Sequence, residues 1–165
     1  MPAEPSPAKQ LAGFIARFDP AVAALIRRTR AAVRRRLPTA TELVYDNYNF
    51  FVIGFSSTLR PSDCMVSVVA SAKGVALAFY YGADLPDPDG ILLGGGTQNR
   101  FVRMDGGVSP HTAAVARLIR AATAQGKTPL SRKGPGELVI RSISAKQRPR
   151  RTVRSAAARI GAVKS

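Results

Sequence analysis

The sequence predicts an α+β fold, in which an antiparallel β-meander of about five strands carries N-terminal and C-terminal helices on one face. Three observations lead to this prediction. Apolar residues recur with the helical period towards both ends of the chain, the middle alternates with a period of two, and turn-forming runs separate the alternating segments. At 165 residues the chain is long enough for one domain with a core and short appendages.

Three predicted helices share one starting device, a capping oxygen followed by proline at the first helical position. The starts are Ser6-Pro7, Asp19-Pro20 and Ser109-Pro110. The first helix then has an apolar stripe at i, i+3, i+4 and i+7, made of Leu11, Phe14, Ile15 and Phe18. We expect the second helix to end near Leu37 and the third near Gly126.

Short alternating segments rich in Val, Phe and Tyr predict the strands. The predicted strands are 42–46, 49–56, 64–71, 75–81 and 100–104. Lys73-Gly74 fits a tight hairpin between the third and fourth of them.

The chain divides into four predicted segments. Residues 1–5 are expected to be a disordered N-terminus, and 6–126 the α+β domain. Residues 127–144 form a Gly, Pro and Lys-rich linker whose second half also fits an edge strand. Residues 145–165 hold seven Lys or Arg and no acid, which predicts a disordered basic tail.

Composition excludes some classes of protein and leaves others open. Apolar residues make up 45% of the chain, as in globular proteins, but the formal net charge is +15. No signal peptide or membrane-length apolar run is visible, so we expect a cytoplasmic protein without a membrane partner. A single cysteine, Cys64, excludes an intrachain disulfide and a cysteine zinc cage. It is expected to be buried packing rather than a nucleophile.

The long connection between the fourth and fifth strands contains an acidic turn with Asp84, Asp87 and Gly90. Its middle matches a calcium-loop pattern, but Leu85 and Gly96 occupy the first and last ligand positions. Turn chemistry with solvated carboxylates is therefore favoured over a metal site.

A glycine run that includes Gly94 and Gly96 precedes Arg100 and Arg103. Backbone amides and guanidinium groups could bind a small anion there. The alternative is a bulge before an edge strand. Aromatic residues Tyr45 and Tyr48 could reach the rim of the same site, although most aromatic residues in strands belong to a core.

The basic tail suggests weak, sequence-independent nucleic-acid binding. The residues assigned to this role are Lys146, Arg148, Arg150, Arg151 and Arg154. A second basic feature lies on the second helix, where Arg27, Arg30 and Arg34 follow one flank and Arg28 and Arg35 the other. Such faces are usually solvated.

The loop and aromatic motifs resemble a known family. Tyr45 with Tyr48, the segment 82–92 and the segment 94–104 are similar to YdhG-like domains of unknown function, which belong to a YjbR/CyaY-like, frataxin-like superfamily. The resemblance spans roughly 11–124, and 137–151 resembles a C-terminal extension of some members. It implies a compact frataxin/YjbR-like sandwich.

These observations predict a non-enzymatic cytoplasmic binding module for a small anion or a partner segment, with the tail attaching to nucleic acid or acidic surfaces. No catalytic residue, cofactor or metal ligand is assigned, and the oligomeric state is left open. The alternative, implied by the resemblance, is iron handling. Frataxin-like proteins use acidic side chains on the first helix, whereas the second helix here carries arginines and no carboxylate after Asp19.

Overall fold

The computed structural model describes residues 3–105 and 108–152. Over these residues the chain is a mixed α+β structure with three α-helices and six β-strands. The helices are α1 (Pro7–Ala16), α2 (Pro20–Arg36) and α3 (Ala113–Gln125). The strands are β1 (Thr41–Asp46), β2 (Phe51–Ser56), β3 (Cys64–Ser71), β4 (Gly74–Phe79), β5 (Arg100–Arg103) and β6 (Leu138–Ile143).

The start of α3 differs from the prediction, whereas α1 and α2 begin after the expected residues, Ser6 and Asp19. The N-cap of α3 is Thr112, whose hydroxyl accepts a hydrogen bond from the Val115 amide at 3.3 Å. The predicted cap, Ser109, lies one turn earlier and its carbonyl accepts the Thr112 amide at 3.2 Å. Ser109 therefore closes a turn before the helix, and the helix itself begins after Thr112.

The six strands form one open sheet in the order β5-β4-β3-β2-β1-β6. Strands β1 to β5 pair antiparallel with their chain neighbours, as a meander does. Strand β6 pairs parallel with β1 at the far edge. A parallel neighbour needs a long crossover, which α3 and the segment after it provide.

Three strands are shorter than predicted, and one of them, β5, ends at Arg103, one residue early. Strand β2 begins at Phe51, because the Asn47 amide donates to the Phe50 carbonyl at 3.0 Å and closes the hairpin turn there. Strand β4 ends at Phe79, before Tyr80 and Tyr81, whose rings meet edge to face at 4.7 Å.

The core lies between the helices and one face of the sheet. Phe14 of α1 and Phe18, which follows the helix, both contact Phe51 of β2, with ring centroids 6.1 and 5.9 Å apart. Full burial of such a side chain stabilises a fold by about 1.5–3 kcal/mol. None of the helices in the described part of the chain has the length and apolarity needed to cross a membrane.

Candidate functional site

The residues predicted to form the anion site do not converge. Tyr45 lies on β1 and Arg100 on β5, and the sheet order puts four inter-strand spacings between them. At about 4.8 Å per spacing the separation is about 19 Å. One small ligand cannot contact both residues.

The two arginines of β5 also point apart and are already engaged. Alternation along the strand sends Arg100 and Arg103 to opposite faces of the sheet. The Arg100 guanidinium donates to the carbonyl oxygens of Gly95 and Gly96 at 3.2 and 3.0 Å, so it holds the glycine run. Arg103 donates two hydrogen bonds to Asp105, at 3.0 and 2.8 Å.

The acidic loop is built as a turn. Both carboxylate oxygens of Asp87 accept backbone amides, from Ile91 and Leu92, at 3.0 Å. Gly90 has a φ of +64°, which the turn requires. Among the described residues, no group of three His, Cys, Asp or Glu side chains is placed to hold a metal ion.

The two predicted aromatic residues lie at the end of the sheet near β6. Tyr45 is half-buried, and burial raises the pKa of its phenol, an effect partly offset by the neighbouring Arg141. Tyr48 is 50% exposed, and the Arg148 guanidinium stacks over its ring at 5.8 Å. This stack is a surface contact between the β1–β2 turn and the C-terminal segment.

Residues 145–152 pack on the domain, whereas the sequence predicted a free tail from residue 145. Arg150 is buried against Asp46, and Arg151 donates to the carbonyl of Arg17 at 3.1 Å. Lys146 and Arg148 remain exposed. Arg154 lies outside the described residues. The physical reason for the packing is that β6 places this segment beside a buried carboxylate.

Some arginines of the described chain form ion pairs and others do not. Six carboxylates pair with eight arginines. On the first flank of α2, Arg30 and Arg34 both bind the fully buried Glu42, with the Arg30 contact at 2.6 Å. On the second flank, Arg35 is exposed and has no ion pair within the described residues.

A groove runs between the end of α2 and α3, with a volume of about 570 Å³. We call it the arginine groove. Its rim is formed by Arg35, Arg36 and Arg120, which are exposed, and its floor by Leu37, Ile119 and Leu130. No carboxylate occurs in α2, in α3 or in 126–136.

A separate cavity of about 300 Å³ lies beside the last turn of α3, between the start of β3 and the end of β4. We call it the α3 cavity. Its wall includes the Cys64 thiol, whose pKa is raised to about 11, mainly by burial. A thiol in that state is neutral at physiological pH and a poor nucleophile.

Sequence reasoning missed both the groove and the cavity. The sequence does contain a pattern that indicates the groove. The arginines of α2 fall on two flanks, and no acidic residue occurs in α2, α3 or the segment after α3. The sequence does not show which flank of α2 contacts Glu42. No pattern in the sequence indicates that the start of β3 lies beside the end of α3.

No family model matches the chain, and neither do curated proteins or solved structures. The fold and the two concave surfaces therefore define the class: an α+β protein with an open, mostly antiparallel six-stranded sheet.

Proposed function

We propose that this chain is a non-enzymatic binding module that docks an acidic, amphipathic peptide segment of a partner protein in the arginine groove. The single observation that carries the proposal is charge. The three segments that line the groove contain arginines and lysines and not one carboxylate.

The rim provides the right chemistry for carboxylates. A guanidinium group offers a planar fork of donors that matches a carboxylate with two hydrogen bonds. Within the described residues, no ion pair is formed by Arg35, Arg36 or Arg120. Their guanidinium N–H groups can therefore bind a carboxylate of a partner. The nearby Arg117 differs, because it binds Asp89 at 2.9 Å.

The apolar floor favours a peptide over other anions. A small anion gains nothing from Leu37, Ile119 and Leu130. A nucleic acid has phosphates for the rim, but none of the residues that line the groove is aromatic, so the groove offers bases no aromatic ring to stack on. A helix with apolar residues on one face and acidic residues beside them satisfies floor and rim together.

The test measures fluorescence anisotropy of a labelled Leu/Glu amphipathic helical peptide against the same peptide with Gln for Glu. We expect the acidic peptide to bind and the Gln peptide to bind at least roughly tenfold more weakly, with affinity falling as salt rises. The substitutions R35A and R120A should each weaken binding. The matched control is R27A, which removes the same charge from the first flank of α2.

Two outcomes would contradict the proposal. If R27A weakens binding as much as R35A, the peptide is attracted by the net charge of the protein and does not bind specifically in the groove. If a single-stranded oligonucleotide of matched charge binds more tightly than the acidic peptide, the nucleic-acid role predicted for Lys146 and Arg148 takes its place.

The family resemblance, the frataxin/YjbR-like sandwich and the cytoplasmic location also remain proposals. Helices that pack on one face of the sheet support the sandwich. Iron handling is the alternative function, and nothing in the described residues favours it. Asp87 is bound to backbone amides and Asp89 to Arg117, so those two carboxylates have other partners.

A further inference from the structure

The α3 cavity is the right size for a small metabolite. A water molecule takes about 30 Å³ of liquid, so this cavity of about 300 Å³ holds roughly ten non-hydrogen atoms. That is too little for a peptide segment or a nucleotide. The cavity also shares no lining residue with the arginine groove, so the two are separate surfaces.

The inner wall of the cavity is apolar. It is formed by the buried side chains of Met65, Phe79 and Leu85, together with Ala122 of α3. These groups cannot donate or accept hydrogen bonds of ordinary strength. They suit an aliphatic or aromatic group of a ligand.

The outer wall carries one available charge of each sign. Neither the Asp84 carboxylate nor the Lys127 ammonium has an ion pair or side-chain hydrogen bond among the described residues. A second wall carboxylate, Asp63, is already occupied by the Thr58 hydroxyl at 2.6 Å and the Arg60 Nε at 3.0 Å.

A further polar group lies in the wall of the cavity. The Ser57 Oγ is buried and has no hydrogen-bond partner within residues 3–105 and 108–152. A buried hydroxyl without a partner costs free energy, and a ligand that bonds to it recovers that cost.

We propose that the α3 cavity binds a small zwitterion of the amino-acid type with an apolar side chain. The ammonium group of the ligand faces Asp84, its carboxylate faces Lys127, and its side chain lies on Met65, Phe79 and Leu85. Ser57 supplies an additional hydrogen bond. Either charge alone would select an amine or an acid, and the pair selects a molecule that has both.

The test uses calorimetric titration of the full chain with leucine, N-acetyl-leucine and leucinamide. We expect leucine to bind and each blocked form to bind roughly tenfold or more weakly, because each lacks one charge. The substitution D84N should weaken leucine binding by a similar factor, and so should K127Q. The matched controls E137Q and K133Q remove the same charges outside the cavity and should change nothing.

A cavity-filling variant, A122L, should abolish leucine binding. Its folding is checked by its thermal midpoint, and if it does not fold the two charge variants decide the question. The proposal is overturned if leucine gives no binding at millimolar concentration, or if D84N and K127Q bind it as the unaltered chain does. Peptide binding in the arginine groove should be unaffected by D84N, because Asp84 lies outside the three segments that line the groove, so the two proposals can fail separately.

Discussion

Asp46 and Arg150, 104 residues apart in the chain, form an ion pair at 2.9 Å in which each side chain is only 2% exposed. Arg150 also donates to the carbonyl oxygen of Asn47 at 2.6 Å, and its guanidinium stacks on the Phe18 ring at 5.8 Å. Arg17 approaches the other carboxylate oxygen of Asp46 at 3.4 Å. The pair joins the C-terminal segment to the end of β1.

The substitution R150A should therefore destabilise the fold. It leaves the Asp46 carboxylate buried with Arg17 alone, and breaking a buried pair typically costs about 3–5 kcal/mol. The free energy of unfolding is measured in urea. The control R148A removes an exposed arginine from the same segment, and should cost about 1 kcal/mol or less. Equal losses in the two variants would mean that the buried pair contributes little.

The substitution G136A should weaken the attachment of β6. A Cβ at this position would overlap the carbonyl oxygen of Ala40 and lie 2.7 Å from the Thr41 amide nitrogen, where backbone cannot move aside. We expect a loss of about 1–3 kcal/mol in the free energy of unfolding. The control is G95A, since nothing lies within 4 Å of a Cβ there. A neutral G136A would show that the chain before β6 shifts freely.

The thiol of Cys64 should react slowly with iodoacetamide. Its pKa of about 11 lies two units above the ordinary value of 9.0, so the reactive thiolate is about a hundredfold scarcer below pH 9. Burial lowers the rate further. The measurement compares alkylation rates in buffer and in urea, with free cysteine as the reference. Similar rates in both solvents would contradict a buried thiol.

Lowering the pH should destabilise the fold, in part because Asp105 becomes protonated. Hydrogen bonds from Arg103 hold the pKa of this carboxyl below its ordinary value of 3.8. The folded state thus binds the proton less tightly than the unfolded state. The resulting stability is present above pH 3.8 and is lost as the pH falls through the folded pKa. The free energy of unfolding, measured in urea across this pH range, should decrease less on acidification in D105N. An equal decrease in D105N would mean that Asp105 does not contribute.

Local patterns predicted the coarse fold because they depend on near neighbours in the chain. The Ser6 cap and the apolar stripe of α1 need only adjacent residues, and so does alternation in β2 and β3. The parallel pairing of β6 with β1 was not predictable. It joins residues such as Leu43 and Val139, and no local signal records that contact.

The candidate sites were predictable only in part. The glycine run and Arg100 do contact each other, but as donor and acceptors within one loop. The sequence could not show which arginines of α2 are neutralised. That depends on Glu42, a β1 residue whose carboxylate is buried under α2.

The sequence by itself determined the α+β class, the helix starts at Ser6 and Asp19, and the excess of positive charge. Tertiary structure decided which charges remain available. Burial of Glu42 and Asp46 requires arginine partners, because an isolated buried carboxylate is very costly. That requirement pairs Arg30, Arg34 and Arg150 with carboxylates inside the fold, whereas Arg35 on the second flank of α2 stays exposed.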